Sequence, residues 1–479
     1  MSTTYEPVIG LEIHVQLATR TKMFCGCEVS FGEPPNTRTC PVCLGLPGAL
    51  PVANARAVHY GLMIGLAVSS ELAPRSIFHR KNYFYPDLPK GYQISQYDEP
   101  LCKGGRLGEV RIHRVHMEED AAKLTHVGAS GRIHGSDASI VDFNRGGTPL
   151  VEIVTEPDLR SAEQAGEWLR LLRVTLRALG VSDVNMDEGS LRVDANVSVR
   201  ESASQALGVK TELKNLNSFR FLEQGVRAEI ARQEGVLSGG GSVVQETLHY
   251  DPDSGAITSM RSKEEAHDYR YFPEPDLLPV AITQEMVDAA RAAMPELPAA
   301  RAERYEAELG LSSERARTLA FRRELGEYFE RALEGAQATP EQIHTLANLV
   351  AVELPPRIGV DLDPADSLVT PASLLGVARM VAERQISIGA ARQVLESLAR
   401  DGGDPAAVVA REGLLAMDDS AELAAVVASA LEANPDAAAR VREGEQKAIG
   451  PIVGHVMRET KGRADGREVT RLVHEQLGV

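Results

Sequence analysis

The strongest constraint on the fold is a regular alternation of apolar and polar residues in the N-terminal part. In residues 8–17 the odd positions are apolar, and the even positions from Gly10 to Gln16 carry glycine or polar side chains; residues 191–200 alternate in the same way. Such alternation is typical of strands with one buried face, as in antiparallel sheets. Strands and helices do not alternate regularly along this part. The sequence therefore predicts an α+β fold, with a large cradle-like N-terminal domain built on an antiparallel sheet with flanking helices.

One flanking helix is predicted between Ser161 and Gly180. Ser161 and Gln164 match a capping box, an apolar stripe extends from Ala165 to Leu179, and Gly180 is a stop signal.

The pattern changes after about residue 282, where Ala, Leu, Arg and Glu dominate. Thr339-Pro340 and Thr370-Pro371 are typical helix starts, and the turn-forming residues 401–405 mark a boundary. The sequence thus predicts an all-α middle domain and a small helical tail. The predicted domains are residues 1–292, 293–405 and 406–479.

Composition narrows the class of protein. The chain has 479 residues, with 51 Lys and Arg against 68 Asp and Glu, for a net charge of −17. This negative charge argues against a protein that coats nucleic acid through its overall charge. It does not exclude binding of nucleic acid by local basic patches. No apolar run approaches the ~18 residues that span a bilayer, and the N-terminus lacks the pattern of a signal peptide. We expect a cytoplasmic protein with no membrane contact.

Clustered cysteines indicate a metal site. Cys25 and Cys27 are followed by Cys40 and Cys43, and four thiolates suit a closed, tetrahedral structural zinc site. The first spacer is shorter than usual, but in an extended strand Cys25 and Cys27 would point to the same face. Coincidental buried thiols or a redox pair are the alternatives.

Carboxylates on strand faces form the second signal. The relevant positions are Glu12, His14, Glu119, Glu152 and Asp194. If their strands pair in one sheet, these side chains could converge on a divalent cation, and oxygen ligands with one imidazole suit Mg²⁺. Solvated strand faces are the alternative, and Glu152, flanked by apolar residues, fits it least well.

Two segments combine aromatic and charged residues, residues 79–96 and 268–276. Aromatic side chains interleaved with Lys and Arg suit a single-stranded nucleic-acid end, which they bind by base stacking and phosphate contact. Core aromatics with surface charges are the competing interpretation. The sequence contains no P-loop, kinase glycine-rich loop or Rossmann fingerprint, so any use of ATP requires an uncommon fold.

Several long motifs, in order, resemble the B subunits of the aspartyl/glutamyl-tRNA(Asn/Gln) amidotransferases, and the resemblance covers essentially the whole chain. The motifs lie at residues 8–15, 40–48, 81–87, 92–97, 116–120, 189–192, 268–276 and 447–457.

The resemblance implies ATP-dependent transamidation of Glu-tRNA(Gln), Asp-tRNA(Asn) or both. The side-chain carboxylate is phosphorylated with ATP, and ammonia then displaces phosphate to give the amide. The residues carried over as catalytic and as Mg²⁺ ligands are Glu12, His14, Glu119 and Glu152, with Glu118 and Asp194 as further candidates.

Ammonia must come from a partner, because this chain shows no amidase or glutaminase site. The resemblance implies a heterotrimer with an amidase subunit and a small third subunit. It also implies an ammonia channel that Lys81 and Tyr83 line or gate, with Lys90 nearby.

The resemblance further implies that the acceptor end of mischarged tRNA enters the large domain while the tail meets the tRNA body. The basic cluster expected to contact the tRNA is Lys447, Arg458, Lys461 and Arg463. Solvent-facing cations on an ordinary helix are the alternative for each residue.

A rival function for the whole chain is a zinc-containing tRNA-binding module without chemistry. The archaeal relative specific for tRNA(Gln) is disfavoured because this chain lacks its large inserted domain.

Overall fold

The computed structural model describes residues 4–127, 136–202, 204, 206–262, 269–359, 362–416, 420–460 and 462–479. The chain divides into two compact units, Met1–Leu297 and Pro298–Val479.

The first unit contains the strands. They are β1 Tyr5–Gln16, β2 Glu71–Leu72, β3 Arg75–Ser76, β4 His79–Asn82, β5 Tyr92–Ser95, β6 Cys102–Lys103, β7 Arg106–Leu107, β8 Val110–Glu119, β9 Lys123–Val127, β10 Ala138–Asp142, β11 Pro149–Thr155, β12 Leu191–Glu201, β13 Thr211–Lys214, β14 Glu246–Tyr250, β15 Ile257–Ser262, β16 Phe272–Pro273 and β17 Val280–Ala281. Its helices are α1 Ala55–Ala67, α2 Ala162–Leu179, α3 Phe219–Ser238 and α4 Gln284–Ala292.

Ten of the described strands form one sheet in the order β15-β14-β13-β12-β1-β11-β8-β6-β2, with β7 paired to β8. Among them β13 and β14 run parallel, and the other pairs are antiparallel. The α+β prediction is confirmed, with one parallel pair that the alternation pattern does not reveal. Smaller sheets pair β16-β4-β5, β9-β10 and β3-β17.

The predicted alternation sets the two faces of the central strand β1. Ile9, Leu11, Ile13 and Val15 are all at most 1% exposed and belong to the core of the unit. The even-numbered residues of β1 lie on the opposite face, where polar side chains of β8, β11 and β12 join them. This polar face positions the candidate site.

Helix α2 forms where the sequence predicts it. The Ser161 hydroxyl accepts a hydrogen bond from the Gln164 backbone N–H, and Gly180 ends the helix in a left-handed conformation. The predicted capping box is only half correct, because the Gln164 side chain accepts from the backbone N–H of Arg160 rather than of Ser161.

The second unit is helical in its described part. Its α-helices are α5 Pro298–Leu309, α6 Ser313–Phe321, α7 Arg323–Leu333, α8 Pro340–Asn348, α9 Pro355–Ile358, α10 Pro371–Ala382, α11 Ile388–Asp401, α12 Pro405–Glu412, α13 Ser420–Ala433, α14 Pro435–Arg442, α15 Gly450–Glu459 and α16 Gly466–Leu477. The predicted starts are confirmed: Thr339 caps α8 with a complete capping box, and Thr370 caps α10.

Two hydrophobic clusters lie within this unit, one up to Leu414 and one from Leu423 onward. The first includes Val408 and Val409 of α12, whereas the predicted boundary at 405/406 falls at the start of that helix. The three-domain division stays a prediction. Among the described helices, none is both long and apolar enough to cross a membrane.

Candidate active site and metal centres

A row of polar residues crosses four adjacent strands, β12, β1, β11 and β8, on the polar face of the large sheet. His14 of β1 lies opposite Glu152 of β11, and Glu152 lies opposite His116 of β8. On the other side of β1, Arg192 of β12 is the register partner of His14. Because paired residues of antiparallel strands stand on the same face, residues distant in sequence become neighbours here.

The centre of the site is an imidazole between two carboxylates. His14 Nε2 lies 3.3 Å from Glu118 Oε1 and 3.6 Å from Glu152 Oε2. One possible ligand atom from each of the three residues lies within 4.8 Å of the others. Glu118 is 2% exposed and Glu152 7%, so both charges depend on local partners. This donor set could hold a hard divalent cation.

The electrostatics of the cluster keep all three groups charged. Burial disfavours a charged imidazole, but hydrogen bonds with Glu118 and Glu152 outweigh it and raise the pKa of His14 to about 10. Burial likewise disfavours the carboxylates, but the imidazoles lower the pKa of Glu118 and Glu152 below the usual range. A metal ion bound at His14 would displace its proton, since imidazole binds metal in the neutral form.

Glu12 lies one row away from this centre. It is the register partner of Asp194, and its Oε1 accepts a hydrogen bond of 2.8 Å from Asn196 Nδ2. Asp194 in turn contacts Lys214 Nζ at 2.6 Å. Glu12 and Asp194 therefore border the His14 cluster on the same face as His14 itself.

Glu119 lies outside this cluster, whereas from the sequence we expected it to converge there with the other carboxylates. Neighbouring residues of a strand point to opposite faces, so β8 directs Glu118 and not Glu119 towards His14. Glu119 forms an ion pair with Lys90 and accepts a hydrogen bond of 3.0 Å from the Ile94 backbone N–H. Metal binding and catalysis by any of these residues stay predictions.

Glu119 and Lys90 line a cavity of about 150 Å³ beside the cysteine cluster. Its lining carries charges of both signs. Its polar lining includes Lys22, Cys25, Cys43, Lys90, Tyr92 and Glu119.

The two aromatic segments of the sequence meet beside the carboxylates. Tyr97 and Tyr271 stack with ring centroids 4.4 Å apart, and Tyr83 and Tyr269 pack edge to face at 6.0 Å. Lys81 Nζ lies 4.8 Å from the centroid of the Tyr269 ring. Burial is the main cause that raises the pKa of Tyr83 and of Tyr271. Nearby negative charge adds to it, from Asp87 and then Glu118 at Tyr83, and from Glu118 at Tyr271. Lys81 and Tyr83 thus stand at the edge of the acidic cluster, while Lys90 lies by the cavity.

The Cys25, Cys27, Cys40 and Cys43 sulfurs lie within 4.8 Å of one another. The local backbone differs from the extended strand that was predicted. A bridge between Thr21 and Glu28 closes a tight bend that carries Cys25 and Cys27. The bend brings both thiols to the Cys40–Cys43 turn, so the cluster could bind one metal ion, and its all-sulfur donor set is compatible with structural zinc.

A buried lysine supports the negative charge of this cluster. Lys22 is 1% exposed, and its Nζ lies 3.7 Å from Cys43 Sγ and 3.1 Å from the Phe143 carbonyl oxygen. A hydrogen bond from Cys25, together with the Lys22 charge, lowers the pKa of Cys43 to about 4. Thiolates are the form that binds metal.

The predicted basic cluster of the tail lies at the end of the second unit. Lys447 and Arg458 are exposed, and half-buried Arg463 donates a hydrogen bond of 3.2 Å to the Thr460 carbonyl oxygen. Lys461 lies outside the described residues.

Comparison with known proteins decides the family. A relative from Anaeromyxobacter dehalogenans (strain 2CP-1 / ATCC BAA-258), named as the B subunit of an aspartyl/glutamyl-tRNA(Asn/Gln) amidotransferase, is 49% identical over 99% of both chains. The chain belongs to this family of amidotransferase B subunits. Relatives of the same name from Frankia casuarinae and Thermobifida fusca are 49% and 48% identical, over 99% of this chain and 96% and 94% of theirs.

Two family models match separate parts of the chain. The model of the GatB/GatE catalytic domain matches residues 7–288, and the GatB domain model matches residues 327–477. The resemblance seen in the motifs is confirmed, and the chain is a subunit of an amidotransferase. The His14 cluster and the four cysteines both lie within the part matched by the catalytic-domain model.

Sequence reasoning missed His116, which joins the row of His14 and Glu152 in this amidotransferase fold. Its Nε2 lies 3.1 Å from Glu152 Oε2, and its side chain is 3% exposed. The signal was available, because the alternation of residues 110–117 places His116 on the same strand face as Glu118.

We expect the loss of stability caused by His14→Gln to depend on pH. The raised pKa of His14 stabilises the fold fully below the unfolded-state value of 6.5, and this contribution is lost as the pH rises through about 10. The variant should therefore be less stable by on the order of 2 kcal/mol at pH 6.5 and nearly equal to the natural chain above pH 10.

The measurement is urea unfolding without added divalent metal. It is followed by the fluorescence of buried Trp168, the only tryptophan in the sequence. A destabilisation of the same size at both pH values would contradict a charged His14.

Proposed function

We propose that this subunit carries out the ATP-dependent transamidation of Glu-tRNA(Gln), Asp-tRNA(Asn) or both, giving Gln-tRNA(Gln) and Asn-tRNA(Asn). The observation that carries the proposal is the convergence of three side chains, in a chain of this family, beside a surface of tyrosines. The three side chains are His14, Glu118 and Glu152, and the tyrosine surface consists of Tyr97, Tyr269 and Tyr271.

We further propose that residues 1–292 form the catalytic domain, 293–405 a helical domain and 406–479 a tail that contacts the tRNA body.

The chemistry requires activation of a carboxylate. A carboxylate is a poor electrophile because its leaving group would be oxide or hydroxide, and phosphorylation with ATP provides a better one. His14, Glu118 and Glu152 would hold Mg²⁺, with Glu12 and Asp194 at the border of the site. The ion would offset the charge of the transferring phosphoryl group.

The tyrosine surface suits the acceptor end of the tRNA. Unpaired bases stack on aromatic rings, and Tyr97, Tyr269 and Tyr271 offer such rings within reach of the carboxylates. Lys81, seated over Tyr269, supplies a positive charge for phosphate. This arrangement would bring the terminal aminoacyl group to the His14 cluster.

Ammonia would arrive from a partner amidase subunit, with a small third subunit completing a heterotrimer in the cytoplasm. Lys81 and Tyr83 would line or gate the end of its channel, and Lys90 would lie nearby. Polar side chains can pass neutral ammonia between hydrogen bonds while they limit the entry of bulk water. The buried Lys90–Glu119 pair supports a polar path on that side of the site.

The rival function, a tRNA-binding module without chemistry, fits the site less well. A protein that only binds tRNA gains nothing from buried carboxylates such as Glu118 and Glu152 beside the surface that receives a polyanion. The acidic cluster therefore favours catalysis over binding alone.

Replacing Glu152 by Gln tests catalysis in the assembled enzyme with mischarged tRNA. We expect ATP breakdown to fall by about 100-fold or more, the scale of losing one charge that stabilises a transition state. Glu156→Gln is the matched control, because Glu156 lies just past β11 in an ion pair with His113 and should keep full turnover. Unchanged turnover in the Glu152 variant would favour the binding module.

The cysteine cluster predicts one structural zinc per chain. Elemental analysis should find zinc in the natural chain and in Cys102→Ala, since Cys102 lies in β6, outside the group of four cysteines. Cys40→Ser should lose the metal and unfold at lower temperature, because structural zinc contributes directly to folding. A zinc-free chain whose folding is insensitive to chelator would remove this site.

The tail prediction concerns tRNA affinity. Arg458→Gln should weaken tRNA binding and lower the slope of log affinity against log salt by about 1, because one phosphate contact is lost. ATP binding should not change. Arg331→Gln, at an exposed position of α7, is the control and should leave the slope as it was. Equal slopes for both variants would mean that Arg458 faces solvent.

A further inference from the structure

The second histidine of the cross-strand row differs from the first in its exposure. The His116 side chain is 3% exposed and that of His14 24%. Both contact Glu152, His116 from β8 and His14 from β1. His14 can therefore meet a ligand in the site, whereas His116 contacts Glu152 from the buried side.

Hydrogen bonding defines which nitrogen of His116 carries the proton. Arg114 Nε lies 3.3 Å from His116 Nδ1, and a guanidinium nitrogen can only donate. Nδ1 must then present its lone pair, so the proton sits on Nε2. Nε2 lies 3.1 Å from Glu152 Oε2, so this is the nitrogen that can donate a proton to the carboxylate.

Glu152 Oε2 is thus held between two imidazoles on different strands. His14 Nε2 lies 3.6 Å from it and His116 Nε2 3.1 Å. The strand register brings both imidazoles to this carboxylate, because Glu152 pairs with His14 on β1 and with His116 on β8. A carboxylate held in this way loses less freedom when it binds a cation.

We propose that His116, oriented by Arg114, is a positioning residue that aims the Glu152 carboxylate at the cation of the active site. The inference rests on the proposed function, since it is there that Glu152 binds the metal. Groups that hydrogen-bond to a metal ligand orient it, and their loss typically costs about 10–100-fold in metal affinity.

Two amide substitutions separate positioning from simple packing. In His116→Gln the amide nitrogen replaces Nε2 at the same number of bonds from the Cα, so the donor to Glu152 is kept. In His116→Asn the amide reaches only the Nδ1 position, so the contact with Arg114 is kept and the donor to Glu152 is lost. His113→Gln, on the same strand with a side chain 55% exposed, is the control.

The test is titration of the full chain with Mn²⁺, followed by electron paramagnetic resonance, beside the Trp168 unfolding curve of each variant. We expect His116→Asn to weaken Mn²⁺ binding by about 10–100-fold. His116→Gln should bind within about threefold of the natural chain, and His113→Gln should not differ from it. In the assembled enzyme, ATP breakdown should follow the same order.

Equal Mn²⁺ affinity of the two His116 variants, or an affinity of His116→Asn equal to that of the natural chain, would overturn the proposal while leaving the metal site in place. A natural chain that binds no Mn²⁺, or a Glu152→Gln variant that binds it normally, would overturn the proposed site and this inference together. If His116→Asn does not fold, Arg114→Met tests the orientation of His116, because it removes the hydrogen bond to His116 Nδ1. Its Mn²⁺ affinity should fall, and an unchanged affinity would overturn the proposal.

Discussion

The antiparallel pairing of β1 with β11 and β12 is the constraint on which both the core and the candidate site depend. This register sends Ile13 into the core and sets His14 between Glu152 and Arg192 on the other face. Because side chains alternate with a period of two, a slip of one residue would exchange the faces of β1. Burial of the apolar face therefore also specifies the positions of the catalytic candidates.

Burying carboxylates on this face is costly, and the sheet offsets that cost with cations from neighbouring strands. His14 pairs with Glu118 and Glu152, while buried Asp120 is bound by Arg192 at 2.8 Å and lies 3.6 Å from Arg145. A divalent cation would take over part of the role of protonated His14. The proposed cation would thus exchange with the proton of the imidazole, because imidazole binds metal in its neutral form.

Local patterns in the sequence predicted the elements but not which strands pair. Alternation identified β1 and β12, and Ser161 and Thr339 identified helix starts, because these signals lie within a few neighbouring residues. The pairing of β1 with β11 joins residues more than a hundred positions apart, and nothing local specifies it. The same limit applies to the candidate site. The apolar flanks of Glu152 mark it as a candidate within its own segment, whereas only the register of β8 shows that Glu118 and not Glu119 lies beside His14.

The tyrosine surface depends on a contact that neither of its segments predicts alone. Arg80 donates two hydrogen bonds of 2.7 Å to Glu274, whose side chain is fully buried, and its guanidinium packs over the Tyr92 ring at 4.3 Å. This pair joins β4 to the residue after β16, so that Tyr83 meets Tyr269. Removing Arg80 would leave the buried carboxylate of Glu274 without this positively charged partner. Such a loss costs far more stability than losing a surface ion pair. The tyrosines are consequently placed by the pairing of β4 with β16 together with this ion pair, whereas the acidic site is placed by the register of β1, β8 and β11. The surface and the site are therefore built by separate interactions.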